Sequence, residues 1–154
     1  MKLRIIARTV TLNDIGDKIL LVKNKWANFW YAPGGGWEYE RESIIECARR
    51  EVKEETGLNV DIKKFLYTQE FHESKDTVYL EIFWLAKCID QELDSNYANL
   101  DTNGKVEEAR WFGKEELENL TIFPKRLKDA FWQVKGDLLQ SEDLFLGVQY
   151  NKNV

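Results

Sequence analysis

Gly36 opens the stretch GWEYERESIIECARREVKEETGL, which ends at Leu58. Ser43 and Glu46, three residues apart, form a capping-box pair, and Gly57 suits the position just past a helix end. The spacing therefore predicts a helix over residues 43–56. On a wheel turning about 100° per residue, Ile44, Ala48, Val52 and Ile45 share one arc, the expected core face. Lys53, Arg49 and Glu46 fall opposite, toward solvent. Glu51, Glu54 and Glu55 are i, i+3 and i+4 neighbours and cluster beside the core arc, with Glu55 inside it.

That arrangement is costly. Like charges repel, and a partly buried carboxylate costs several kcal/mol unless it is paired. Arg50 can reach Glu54 across one turn, but one guanidinium does not neutralise three carboxylates. A hard divalent cation would, because magnesium takes oxygen ligands from one or two carboxylates and from substrate phosphates. The competing reading is an acidic face in water, laced by i,i+4 pairs. The glycines before the helix, Gly34, Gly35 and Gly36, favour the cation. They are expected to form a loop whose backbone can approach a metal or a phosphate closely.

With these residues in view, the segment resembles the Nudix box, G-x5-E-x7-R-E-U-x-E-E-x-G-U, where U is a bulky aliphatic residue. Gly36, Glu42, Arg50, Glu51, Val52, Glu54, Glu55, Gly57 and Leu58 match it at every spacing. Seven fixed residues at about 7% each coincide by chance roughly once in a hundred million windows, so the match is not accidental. Trp30-Tyr31-Ala32-Pro33-Gly34-Gly35 resembles the lead-in to that box, and residues 108–112 resemble a downstream strand of the same family. The resemblance implies an α/β fold, an α/β/α sandwich on a mixed β-sheet. It implies a hydrolase acting on nucleoside diphosphates linked to another moiety, with Mg²⁺ as cofactor and Mn²⁺ as a substitute.

The resemblance also implies roles. Glu54 and Glu55 would bind the metal with the backbone carbonyl near Gly35. Glu51 would be a further ligand or the base that activates water. Arg50 would orient the carboxylates, and Glu42 would support the loop–helix junction. Many family members carry one more catalytic acid before the downstream Trp. Here the position six residues before Trp111 is Lys105; of the nearby acids Asp101, Glu107 and Glu108, Glu107 is the candidate. Substrate contacts are expected from Gly34, Gly36, Trp30 and Lys23.

Outside the box, residues 3–12 and 18–23 read as a hairpin, and residues 58–70 and 77–89 as two longer strands. Residues 90–105 are polar and read as a long loop. Residues 124–139 read as a second helix with Pro124 in its first turn and Leu127, Ala130, Phe131, Val134 and Leu138 on one side. Residues 144–148 read as a last strand or an arm. His72, the single histidine, reads as a turn or surface residue.

Length and composition frame the reading. The 154 residues suit one domain over 1–154 with a real core. The net charge of −5 argues against nucleic acid as a partner and leaves small nucleotides open, because a bound cation reverses the local field. Six tryptophans fit a core, a base-stacking pocket or a homodimer interface alike. Cys47 and Cys88 lack metal-motif spacing and read as reduced, buried thiols, and no segment reads as a signal or a membrane span, so a cytoplasmic enzyme is expected. Residues 73–76 carry no mark of a substrate subclass, which leaves nucleotide sugars, ADP-ribose-like compounds and nucleoside triphosphates in play. A nucleotide sensor that binds without cutting is the rival class; intact box glutamates disfavour it.

Overall fold

In the computed structural model, residues 1–89, 106–128 and 145–150 are described. Along the chain come β1 (Lys2–Leu12), β2 (Lys18–Asn24), β3 (Trp30–Tyr31), β4 (Gly34–Gly36) and α1 (Ile44–Thr56). They are followed by β5 (Val60–Ser74), β6 (Thr77–Cys88), β7 (Val106–Gly113), the one-turn α2 (Lys114–Leu117), β8 (Ile122–Phe123) and β9 (Phe145–Tyr150).

All nine strands form one mixed sheet, with the path β8-β3-β2-β1-β6-β5-β9, β4 paired to β1 and β7 paired to β2. β1 runs parallel to β6 from Lys2 opposite Thr77 to Leu12 opposite Lys87. A parallel partner requires a crossover, and α1 lies on that connection. β5 and β6 form the long antiparallel hairpin, and β9 adds to β5 in parallel.

Both faces of the sheet are covered. In β2, Ile19 and Leu21 enter one core with Val10, Trp30, Leu66, Phe83, Leu117, Ile122 and Leu127, while Leu20 and Val22 enter another with Val52, Leu58, Val60 and Ala86. A strand buried on both faces reads as a continuous apolar run, and the stretch Ile19 to Val22 does. Phe83 and Val52 have no exposed surface, and burying each contributes about 1.5–3 kcal/mol.

α1 begins and ends as its sequence dictates. The Ser43 hydroxyl accepts from the Glu46 amide at 3.2 Å, and the Glu46 carboxylate accepts from the Ser43 amide at 2.7 Å. Gly57 closes the helix at φ 76, a left-handed conformation suited to glycine. Such a cap contributes about 1 kcal/mol.

Three expectations change. The glycines do not form a loop: β4 pairs antiparallel with β1, Gly34 opposite Arg8, Gly35 opposite Ala7 and Gly36 opposite Ile6. The core face of α1 is turned from the wheel's arc. Ile45 is 36% exposed, whereas Cys47, Ala48, Val52 and Thr56 are buried. The reason is β4, which lies against the Cys47 flank, with the thiol 3.6 Å from the Gly36 carbonyl oxygen. Third, residues 125–127 form a 3₁₀ turn, with Leu127 buried. The remainder of the helix expected over 124–139 lies outside the described residues, as do the loop expected over 90–105 and, with it, Asp101 and Lys105. Among the described residues, no helix is long and apolar enough to cross a membrane.

Candidate active site

A cleft of about 630 Å³ opens where α1, β4 and β1 meet the outer parts of β5 and β6. From α1 it is lined by Arg50, Glu51, Glu54 and Glu55, and from β4 by Gly34, Gly35 and Gly36. β1 contributes Arg4, Ile6 and Arg8, which alternate along one face of the strand. Aromatic side chains stand at the edges: Phe29, Tyr31 and Phe123 in one group, Phe71 and Tyr79 in another.

Arg50 is the hub. Its Nε donates to Glu42 Oε2 at 2.9 Å and its Nη2 to Glu42 Oε1 at 2.7 Å, a bidentate pair. Its Nη1 donates to Glu51 Oε1 at 2.8 Å and to both Glu54 oxygens at 3.2 and 3.3 Å. Nη2 also reaches the Gly36 carbonyl at 3.3 Å, tying helix to strand. These hydrogen bonds to carboxylates hold Arg50 well above its ordinary pKa. The same hydrogen bonding from Arg50 lowers Glu42 to about 2. Glu42 also accepts from the Glu38 amide, while its own carbonyl accepts from the Trp37 indole at 2.9 Å.

Glu51 behaves differently. Only 12% of its side chain is exposed, and burial raises its pKa; the nearby Glu54 charge adds to the rise, against Arg50. Its carboxyl lies over Gly35, where an added Cβ would come within 2.5 Å of it. Behind this cluster Arg8 Nε donates to Glu81 Oε1 at 2.9 Å, and the Arg8 guanidinium stacks 5.3 Å over the Tyr31 ring. Burial opposes the charge on Arg8, but Glu81, Tyr31 and Glu55 together raise its pKa. Glu81 also accepts from Gln69 Nε2 at 3.4 Å.

Hard carboxylate oxygens next to a backbone edge fit a magnesium ion. Among the described residues no three Asp, Glu, His or Cys side chains close into a cage on their own. Magnesium takes such oxygen ligands together with waters and substrate phosphate. Glu51, Glu54 and Glu55 with the Gly35 backbone would hold it.

The family model for the NUDIX domain matches residues 2–131. The chain belongs to the Nudix family. It is an enzyme of that family, a Nudix hydrolase. A Nudix hydrolase of Listeria monocytogenes is 28% identical over 127 residues, covering 77% of this chain and 69% of the relative. Among solved structures, a Nudix hydrolase from Nitrosomonas europaea superposes with a TM-score of 0.69 at 23% identity, covering 98% of this chain and 81% of that one. A UDP-X diphosphatase superposes at 0.64 with 19% identity, covering 98% and 68%. These two likenesses are of fold.

Within this Nudix domain the structure gathers Arg50, Glu51, Glu54, Glu55, Gly34, Gly35 and Gly36 around one cleft. Three expected residues lie elsewhere. Trp30 is 8% exposed and packs edge-on to Phe112 at 4.8 Å, so its ring serves the core instead of a substrate. Lys23 does not line the cleft and faces Glu107 at 3.9 Å. Glu107 is half exposed beside that lysine and is not among the cleft residues either. Strand alternation turns its neighbour Val106 inward instead. His72 pairs with Glu70 at 2.6 Å and packs on Tyr150, away from the cleft. Arg4, Arg8, Glu81, Phe71 and Tyr79 were not anticipated. The alternation of Arg4 and Arg8 in β1 was the available signal for the first two.

Proposed function

We propose that this chain hydrolyses a phosphoanhydride bond in a nucleoside diphosphate linked to another moiety, a nucleotide sugar or an ADP-ribose-like compound. One observation carries the reading: the Glu51–Glu54–Glu55 cluster opens into a cleft with aromatic rings at separate edges. A diphosphate at the carboxylates then leaves one edge for a base and another for the second group.

A bound Mg²⁺, with Mn²⁺ able to replace it, supplies neutralisation of phosphate charge and a lower pKa for water. The residues of the chain do the rest. Arg50, fixed by Glu42, holds the carboxylates of Glu51 and Glu54 at one place. Glu51 is largely buried with raised proton affinity, and its Oε atoms are suited to accept a proton from attacking water. Gly35 keeps the space over that carboxyl clear. The UDP-X diphosphatase shares this fold, which suits the same class of substrate.

The reading extends to the whole chain as one domain, since β9, beyond the matched residues, pairs with β5 of the same sheet. Cys47 and Cys88 are both buried and form no disulfide, which agrees with the cytoplasmic reading. The test is a screen with Mg²⁺ for release of nucleoside monophosphate, resolved by chromatography, over nucleotide sugars, ADP-ribose, dinucleoside polyphosphates and (d)NTPs. A preference of about tenfold or more in kcat/KM for triphosphates, a difference of about 1.4 kcal/mol, overturns the substrate class and leaves the chemistry standing.

A further inference from the structure

Among the described residues three cations line the cleft, Arg4, Arg8 and Arg50. Arg8 is committed to Glu81, and Arg50 to Glu42, Glu51 and Glu54. Arg4 alone has no carboxylate partner among the described residues, although Glu38 and Glu73 line the same cleft. Its guanidinium lies 6.0 Å over the Tyr79 ring, and its Nη2 fills the space where a Cβ on Gly36 would sit, 2.3 Å away. The glycine leaves room for the guanidinium and the Tyr79 ring lies under it, and neither uses its N–H donors. Arginine presents five such donors in a planar fork that matches phosphate oxygens.

Gly35 and Gly36 set the scale. Glu51 lies at the Cβ position of the first and Arg4 at that of the second, on opposite faces of β4, with their charged ends within about 12 Å of one another given the length of two residues, and both line the one cleft. One substrate can span both groups.

We propose that Arg4 is a substrate-positioning residue whose guanidinium grips a phosphate oxygen of the nucleoside diphosphate, on the far side of Gly36 from the carboxylates. This rests on the reading of the cleft as a nucleoside diphosphate site. Arg4 would bind ground state and transition state alike, so its loss appears in KM more than in kcat. Because Arg4 is exposed near the start of β1 and outside the cores, its replacement leaves the fold intact.

The experiment compares the unaltered chain with Arg4→Gln and Arg4→Lys. It measures kcat and KM on ADP-ribose and a UDP-sugar, and equilibrium binding of ADP and UDP by tryptophan fluorescence in Mg²⁺. Arg4→Gln should raise KM and Kd about tenfold or more, the loss of a charge-assisted hydrogen bond, with kcat within about threefold. Arg4→Lys, which keeps the charge and loses the fork, should fall between. If the unaltered chain turns over neither compound, the substrate reading fails while nucleotide binding still tests Arg4. Equal Kd and KM in all three proteins would overturn the proposal, as would no nucleotide binding by the unaltered chain. A fall in kcat with KM unchanged would overturn it too.

Discussion

Glu42 and Arg50, eight residues apart, meet through two parallel hydrogen bonds of 2.9 and 2.7 Å. Glu42 precedes the helix and Arg50 sits in its middle, so the pair fixes the chain's entry into α1. It also aims the third nitrogen of the guanidinium at Glu51 and Glu54. The charge that looked insufficient on the helix alone is therefore shared among three carboxylates, with Glu42 taking the strongest part.

That pairing gives a pH dependence. Glu42 falls from an ordinary 4.5 to about 2 in the folded chain, because Arg50 stabilises its charged form. Its contribution is complete above the unfolded value and is lost as pH falls from about 4.5 through about 2, on the order of 3 kcal/mol. Denaturant titrations should show Glu42→Gln less stable than the unaltered chain at pH 7, with the gap closing toward pH 2. A gap that is constant with pH would count against the pairing as its source.

Catalysis should require Mg²⁺ or Mn²⁺. Arg50 and Arg8 are already occupied by carboxylates, so the cluster has little positive charge left to offer a diphosphate. Excess EDTA should abolish nucleoside monophosphate release and added Mg²⁺ should restore it. Undiminished turnover in EDTA would refute the dependence.

Glu54→Gln separates chemistry from folding. Its pair with Arg50 is 29% exposed on each side, so its loss costs about 1 kcal/mol at most. Removing the charge also relieves Glu51, whose pKa Glu54 helps to raise. Metal-free melting should therefore hold or rise, while kcat drops about a hundredfold or more, because charge stabilisation at the reacting phosphate is worth several kcal/mol. Near-normal kcat would remove Glu54 from the metal site.

What the sequence disclosed depended on whether side chains carried a pattern. The helix was legible from Ser43, Glu46 and Gly57, and the two long strands from their alternation. β4 was not, because three glycines have no side chains to alternate. Cys47 read as buried but was left off the helix's core arc for the same reason: the strand that covers it could not be seen. Arg8 and Glu81 are 73 residues apart, and only the parallel pairing of β1 with β6 brings them together. Lys23 was placed near the glycines by proximity in sequence, whereas the β2–β7 ladder sets it beside Glu108 and near Glu107.

Gly34 and Gly35 are neighbours with different reasons to be glycine, and one pair of variants distinguishes them. A Cβ on Gly34 would lie 2.2 Å from the Ala7 carbonyl oxygen and 2.9 Å from Arg8 Cα, both backbone atoms of the central strand. Neither can move without opening the β1–β4 ladder, so Gly34→Ala should lower the melting temperature by several degrees, a loss of about 1–3 kcal/mol. A Cβ on Gly35 would instead strike the Glu51 carboxyl at 2.4 to 2.5 Å, the far end of a flexible side chain. Glu51 can swing aside at the cost of its hydrogen bond to Arg50, and the fold should survive with a smaller fall in melting temperature than Gly34→Ala causes. The carboxyl would then leave the place where Arg50 holds it, and a displacement of about 1 Å in a catalytic group can cost about a hundredfold in rate. Thermal melts and kcat on both variants check this. Equal loss of stability in the two, or full activity in a folded Gly35→Ala chain, would show that the Glu51 carboxyl is not held against Gly35 for catalysis.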